Sequence, residues 1–165
     1  MVAIVIDSII TLGRTLNTTD QQLFIAQSGG IIEAFQAVTG SDAAPSVINY
    51  GTLFGNLGAI DLSGTGGSID NFGEILAGPG ATAVDLGATA SPSDWSVSNM
   101  GTISASGIAL GFAVHGNAVV NRGLIQSTDS TAVQFGFAAA GAGTNRLTNY
   151  GEIFGDSEAS AITGL

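Results

Sequence analysis

Val47-Ile48-Asn49-Tyr50-Gly51-Thr52-Leu53 returns four more times along the chain, at 69–75, 97–103, 119–125 and 147–153. The frame is apolar-x-Asn-x-Gly-x-apolar in all five copies, with Asn49, Asn71, Asn99, Asn121 and Asn149 at its centre. Successive asparagines lie 71−49 = 22, 99−71 = 28, 121−99 = 22 and 149−121 = 28 residues apart. Periods of this length mark a stacked repeat and not an ordinary globular core. Within a copy, Val47, Asn49, Gly51 and Leu53 fall on one side and Ile48, Tyr50 and Thr52 on the other, the period-two pattern of a strand.

A second apolar element follows each asparagine by ten to thirteen residues: Ala59-Ile60-Asp61-Leu62, Ala83-Val84-Asp85-Leu86, the looser Ile108-Ala109-Leu110, Ala132-Val133-Gln134-Phe135 and Ala161-Ile162-Thr163. Two or three short strands per period, with Gly and Ser corners and no helical periodicity after Pro45, describe one coil of a parallel β-solenoid. A leucine-rich horseshoe would need a Leu-x-x-Leu-x-Leu frame, which is absent. The fold class is therefore all-β, a parallel β-helix of about six coils. An asparagine stacked inward about 4.8 Å from its copy one coil away can donate to one neighbour and accept from the other, so it is buried yet satisfied. The glycine two residues on is expected to let the backbone bend or take a positive φ.

These runs resemble the N-x-G-x-I-x-G repeats of bacterial secreted adhesin-like and haemolysin-type, RTX-associated proteins. The best copies are Asn49-Tyr50-Gly51-Thr52-Leu53-Phe54-Gly55 and Asn149-Tyr150-Gly151-Glu152-Ile153-Phe154-Gly155. The resemblance covers residues 25–165 and implies a right-handed β-helix in a secreted or cell-surface protein. The lack of cysteine agrees with that family's export and leaves no disulfide or thiolate metal site.

Residues 1–24 fall outside the frame and are expected to form an N-terminal capping segment ahead of a repeat domain at 25–165. A degenerate coil follows, with Gln27 at the ladder position (49−22 = 27), and 31–38 reads as strand from its register. Asn17-Thr18-Thr19 matches a glycosylation sequon but reads as a turn. The long periods carry their extra residues at one corner, within 87–95 and 136–146, and Trp95 sits on the first of these, either lidding the corner or contacting a sugar or partner. The chain stops partway through a coil, which suggests a fragment or an open end stacked on another subunit.

Thirteen acidic residues against three arginines, in a chain of net charge −10, repel phosphate backbones, so no nucleic-acid partner is expected. No apolar run of 18 residues occurs, so no membrane span is expected. Alternation places Tyr50, Phe72, Met100, Arg122 and Tyr150 outward in one column and Phe54, Leu76, Ser104, Gln126 and Phe154 in another. Apolar columns outside a solenoid point to self-association or another protein, with a glycan as the lesser reading. Asp61 and Asp85 occupy equivalent places in adjacent coils and are the candidate calcium ligands. Paired carboxylates also suggest a polysaccharide lyase or epimerase, but later coils carry Gln134 and Thr163 there, and Arg122 lies on a different strand. His115 has no visible catalytic partners, Gly64–Asp70 lacks the tandem calcium spacing, and the column Thr52, Glu74, Thr102, Leu124, Glu152 is no ice-binding ladder. The expected function is a non-catalytic structural or adhesive module without a required cofactor.

Overall fold

The structure, a computed structural model, describes residues 3–16, 21–41, 44–87, 94–136, 144–156 and the backbone of 162–163. Every coil contributes three strands. The first holds β1 (Ala3–Ile6), β2 (Ile9–Ile10) and β3 (Arg14–Leu16); the second β4 (Gln22–Ile25), β5 (Gly30–Glu33) and β6 (Gln36–Gly40). The third holds β7 (Ser46–Asn49), β8 (Thr52–Gly55) and β9 (Gly58–Leu62); the fourth β10 (Ser68–Asn71), β11 (Glu74–Ala77) and β12 (Val84–Leu86). Then come β13 (Ser96–Asn99), β14 (Thr102–Ala105) and β15 (Leu110–Phe112), followed by β16 (Ala118–Asn121), β17 (Leu124–Ser127) and β18 (Val133–Phe135). The last is β19 (Arg146–Asn149), β20 (Glu152–Phe154) and β21 (Ile162–Thr163). First, second and third strands stack into three parallel seven-stranded sheets, here sheets 1, 2 and 3. No helix among the described residues is long and apolar enough to cross a membrane.

The expected stack of about six coils is present, and the segment read as an atypical cap is built as one more coil. β1 pairs β4, β2 pairs β5 and β3 pairs β6, all parallel and in register. It escapes the frame because Ile6 stands at the ladder position, and Ile25 in the second coil, beneath Asn49, is no asparagine either. Gln27 is correspondingly not in the ladder; it lies exposed in the turn at 26–28. Both β5 and β6 are strands, as the register of 31–38 requires. In the fifth coil the third strand lies two residues later than the Ile108-Ala109-Leu110 expected from sequence, with Leu110, Gly111 and Phe112 beside Val84, Asp85 and Leu86. The sequon at 17–19 and the insertions at 88–93 and 137–143 lie outside the described residues.

The interior consists of columns, one residue per coil. Val47, Ile69, Val97 and Val119 line sheet 1, Leu53, Ile75, Ile103 and Ile125 line sheet 2, and Ile60, Val84, Leu110 and Val133 line sheet 3, all essentially buried. Burying each such side chain stabilises by roughly 1.5–3 kcal/mol before chain entropy is subtracted. Phe112 and Phe135 stack with centroids 5.1 Å apart.

At the corner between sheets 1 and 2 runs the asparagine ladder. Each Nδ2 donates to the Oδ1 one coil on at 2.8 Å, from Asn49 through Asn71, Asn99 and Asn121 to Asn149. The same amides reach backbone oxygens of Glu74, Thr102, Leu124 and Glu152 at 3.0–3.1 Å. Asn49, with isoleucine beneath it, takes the Gly51 N–H on its Oδ1 at 3.1 Å, so the row begins with no acceptor wasted. The glycines of the frame serve another purpose than the one read from sequence. None has a positive φ. A Cβ on Gly51, Gly73, Gly101, Gly123 or Gly151 would strike the backbone carbonyl oxygen of the glycine one coil below. Four left-handed residues stand at the corner between sheets 3 and 1, where Ala44 (φ 56), Gly66 (φ 70), Asp94 (φ 53) and Gly116 (φ 92) each precede a sheet 1 strand by two positions, and Gly58 and Gly80 add positive φ between sheets 2 and 3.

Candidate interaction surface

The outward residues of the Asn-x-Gly corner fall into one line, as alternation requires. Tyr50 and Phe72 stack face to face, centroids 4.5 Å apart and planes 3° from parallel, and Phe24 packs on Tyr50 at 5.8 Å. Met100 continues the line and remains exposed. In the next coil the residue is Arg122, whose guanidinium lies 5.1 Å from the centre of the Tyr150 ring.

On sheet 2, Phe54 is flanked by Ile32 below and Leu76 above. The column then turns polar, with Gln126 Nε2 donating to Ser104 Oγ at 3.0 Å, before Phe154 closes it. At the far edge of the same face Phe35 is 64% and Leu57 56% exposed, and the Leu57 N–H donates to the Phe35 carbonyl. Ile9 and Leu12 extend the apolar area into the first coil. Sequence analysis missed Ile32, Phe35, Leu57, Ile9 and Leu12, although 54−32 and 57−35 both equal the short period of 22. Sheet 2 and its two corners thus carry exposed apolar side chains over the first four coils. Met100, Tyr150 and Phe154 belong to the later, more polar part.

Trp95 is not part of any interaction surface. It is 1% exposed, its Nε1 donates to the Gly64 carbonyl at 3.2 Å, and the ring occupies the space above Gly67, where a side chain would collide with it. Its backbone N–H donates to Asn117 Oδ1, and Asn117 in turn donates to Asn145 Oδ1 through both its backbone N–H and its Nδ2. This shorter amide stack at the corner between sheets 3 and 1 was not foreseen, since only two coils carry the asparagine.

Asp61 and Asp85 are neighbours in register on sheet 3, with Thr39 below and Gly111 above. Two carboxylates fall short of the roughly six to eight oxygens calcium takes, and among the described residues no three His, Cys, Asp or Glu side chains gather. Arg122 is at the opposite side of the coil, beyond the end of β16 on sheet 1, so the structure does not bring it to the aspartates. Loss of surrounding water, and then the charge of Asp61, raise the Asp85 carboxyl above its ordinary value. A raised folded value means the folded state holds that proton more tightly, so the associated stability is present in acid and lost as pH rises through the folded value. Asp85→Asn should therefore melt higher than the parent at neutral pH, by about half a kcal/mol, and the gain should vanish in acid. Glu33 has the opposite sign, because the Gly13 N–H at 2.9 Å and the Ala34 N–H at 2.8 Å hold its carboxyl below the ordinary value. Its contribution is present above the unfolded value and fades as pH falls, so Glu33→Gln should lower the melting temperature at neutral pH. Thermal melts of both variants across pH check the two signs.

Fold and surface together define a parallel β-solenoid with an apolar sheet face. No family model matches the chain, nor does any curated protein or solved structure with which it was compared.

Proposed function

We propose that the chain is a non-catalytic structural module of a secreted or cell-surface protein, whose rigid coil stack holds the apolar face of sheet 2 against a second copy of the same face. The observation that carries this is the contiguous set Ile32, Phe54 and Leu76 between Tyr50–Phe72 on one edge and Phe35–Leu57 on the other. Isolated exposed apolar residues are ordinary, but a patch that crosses the width of a sheet and continues over several coils is what a protein contact covers. Within the first four coils of that face the carboxylates are Glu33, tied to backbone donors, and the exposed Glu74 beside Leu76, so the area is poorer in charge than the rest of the surface. Elsewhere the net charge of −10 keeps copies apart. Association is thereby directed to this face, and a like-with-like contact gives a closed two-fold pair. Secretion is supported by the resemblance of the repeat frame, with which the lack of cysteine agrees.

Light scattering over a range of concentrations tests the contact. The 16.3 kDa chain is expected to give a discrete dimer, independent of calcium. Phe35→Ser combined with Leu57→Ser, both at exposed sites, should weaken it more than about tenfold while leaving the melting temperature of the isolated protomer unchanged. A parent chain that stays monomeric at every concentration excludes self-association.

A further inference from the structure

We infer that a groove on the outer face of sheet 1 binds a short oligosaccharide bearing carboxylates. The groove, about 250 Å³, lies over β16 and β19, whose outward residues pair as Ala118 with Arg146 and Val120 with Thr148. Ala118, Val120 and Thr148 form a floor of small side chains. Arg146 stands at one end, Arg122 and Tyr150 at the other. Four residues of extended strand separate the ends, about 13 Å along the backbone. Two of the chain's three arginines therefore stand at one site, and none of the described acidic residues lines it.

Each component points to the same chemistry. A guanidinium matches a carboxylate by a charge-assisted, bidentate pair. Arg122 is placed for that by its contact with the Tyr150 ring, which restrains its otherwise free rotamers. Tyr150 is still 70% exposed, so it offers aromatic surface to the apolar face of a pyranose, and Thr148 adds a hydroxyl. An acidic peptide fits less well. The main chain of β16 is bonded to strands on both sides, so a peptide laid over this face would gain none of the backbone hydrogen bonds that give strand addition its affinity. A nucleic acid would meet two arginines and a net charge of −10. A short sugar carrying a few carboxylates avoids most of that repulsion, since at physiological salt charges beyond about 8 Å are screened.

Calorimetric titration with a short galacturonic acid oligomer, its neutral galactose counterpart and an oligoglutamate peptide tests the assignment. The parent should bind the uronate oligomer, and Arg122→Gln and Arg146→Gln should each weaken binding by about tenfold or more with unchanged melting temperature. Arg14→Gln removes the same charge away from the groove, on sheet 3, and should bind as the parent does. Equal binding of the neutral oligomer, equal or tighter binding of oligoglutamate, an equal loss in Arg14→Gln, or no binding of the uronate oligomer at millimolar concentration would each overturn it.

Discussion

Gly101→Ala is expected to destabilise the solenoid by more than about 3 kcal/mol, far beyond the usual cost of a glycine-to-alanine change. The added Cβ would meet the Gly73 carbonyl oxygen in hard overlap and approach the Phe72 carbonyl carbon to 2.8 Å. Both obstacles are backbone, held by the hydrogen bonds of the Met100 and Gly101 N–H groups to the Asn71 carbonyl at 2.7 and 3.2 Å. The overlap is relieved only by parting two coils. Gly80→Ala is the control: its φ is +74° and nothing lies within 4 Å of the new atom, so only the left-handed backbone penalty of about 1–2 kcal/mol applies. Urea midpoints with unchanged m-values measure both. Similar losses in the two variants would mean that close coil approach is not what these glycines serve.

The second large effect is expected at the centre of the ladder. Asn99 accepts from Asn71 Nδ2 and donates to Asn121 Oδ1, both at 2.8 Å, and its Nδ2 also reaches the Leu124 carbonyl at 3.0 Å. Asn99→Ala strands the Asn121 oxygen in the dry interior and leaves a void, for a loss of about 2–4 kcal/mol. Asn99→Asp should cost more, because a carboxylate presents an acceptor to the Asn121 oxygen and to the Leu124 carbonyl and buries a charge that nothing pairs. Asn149, exposed in the last described coil, makes fewer such bonds, and Asn149→Ala should cost less than about 1 kcal/mol. A flat response along the row would show that the amides do not act as a connected line.

The repeat frame made most of the scaffold legible, because every coil must place a self-satisfying amide and a residue without Cβ at the same corner. Where that demand lapses, the chain becomes harder to read. The first two coils have Ile6 and Ile25 in place of an asparagine, and the second has a three-residue turn where one residue serves elsewhere, so their strands carry no marker. In the fifth coil Gly111 occupies an outward position, which hides the alternation that would have aligned Leu110 and Phe112. The glycine role was misread since a positive φ and a close backbone approach leave the same trace. Trp95 illustrates the limit for aromatics: an indole suits either a surface or a core, and only Gly67, 95−67 = 28 residues earlier, hints at the space it fills. For the interaction surface, the columns were visible wherever the frame gave their phase. The paired arginines of the groove were not, because Arg146 follows an insertion that obscures its register with Ala118.

The corner built on Asn49, Asn71, Asn99 and Asn121 has an electrical consequence. Its side-chain amides donate toward the later coil, whereas the backbone N–H groups just after each asparagine donate toward the earlier one, from Phe72 to the Asn49 carbonyl, Met100 to Asn71 and Arg122 to Asn99, each at 2.7 Å. Two lines of amide dipoles therefore run antiparallel within one edge of the stack. An α-helix sums its peptide dipoles into partial charges at its ends; here the row of side-chain amides opposes part of the backbone sum at this edge. The coil of Asn71 sends three backbone N–H groups toward the earlier coil, from Phe72, Gly73 and Glu74, and one asparagine amide toward the later.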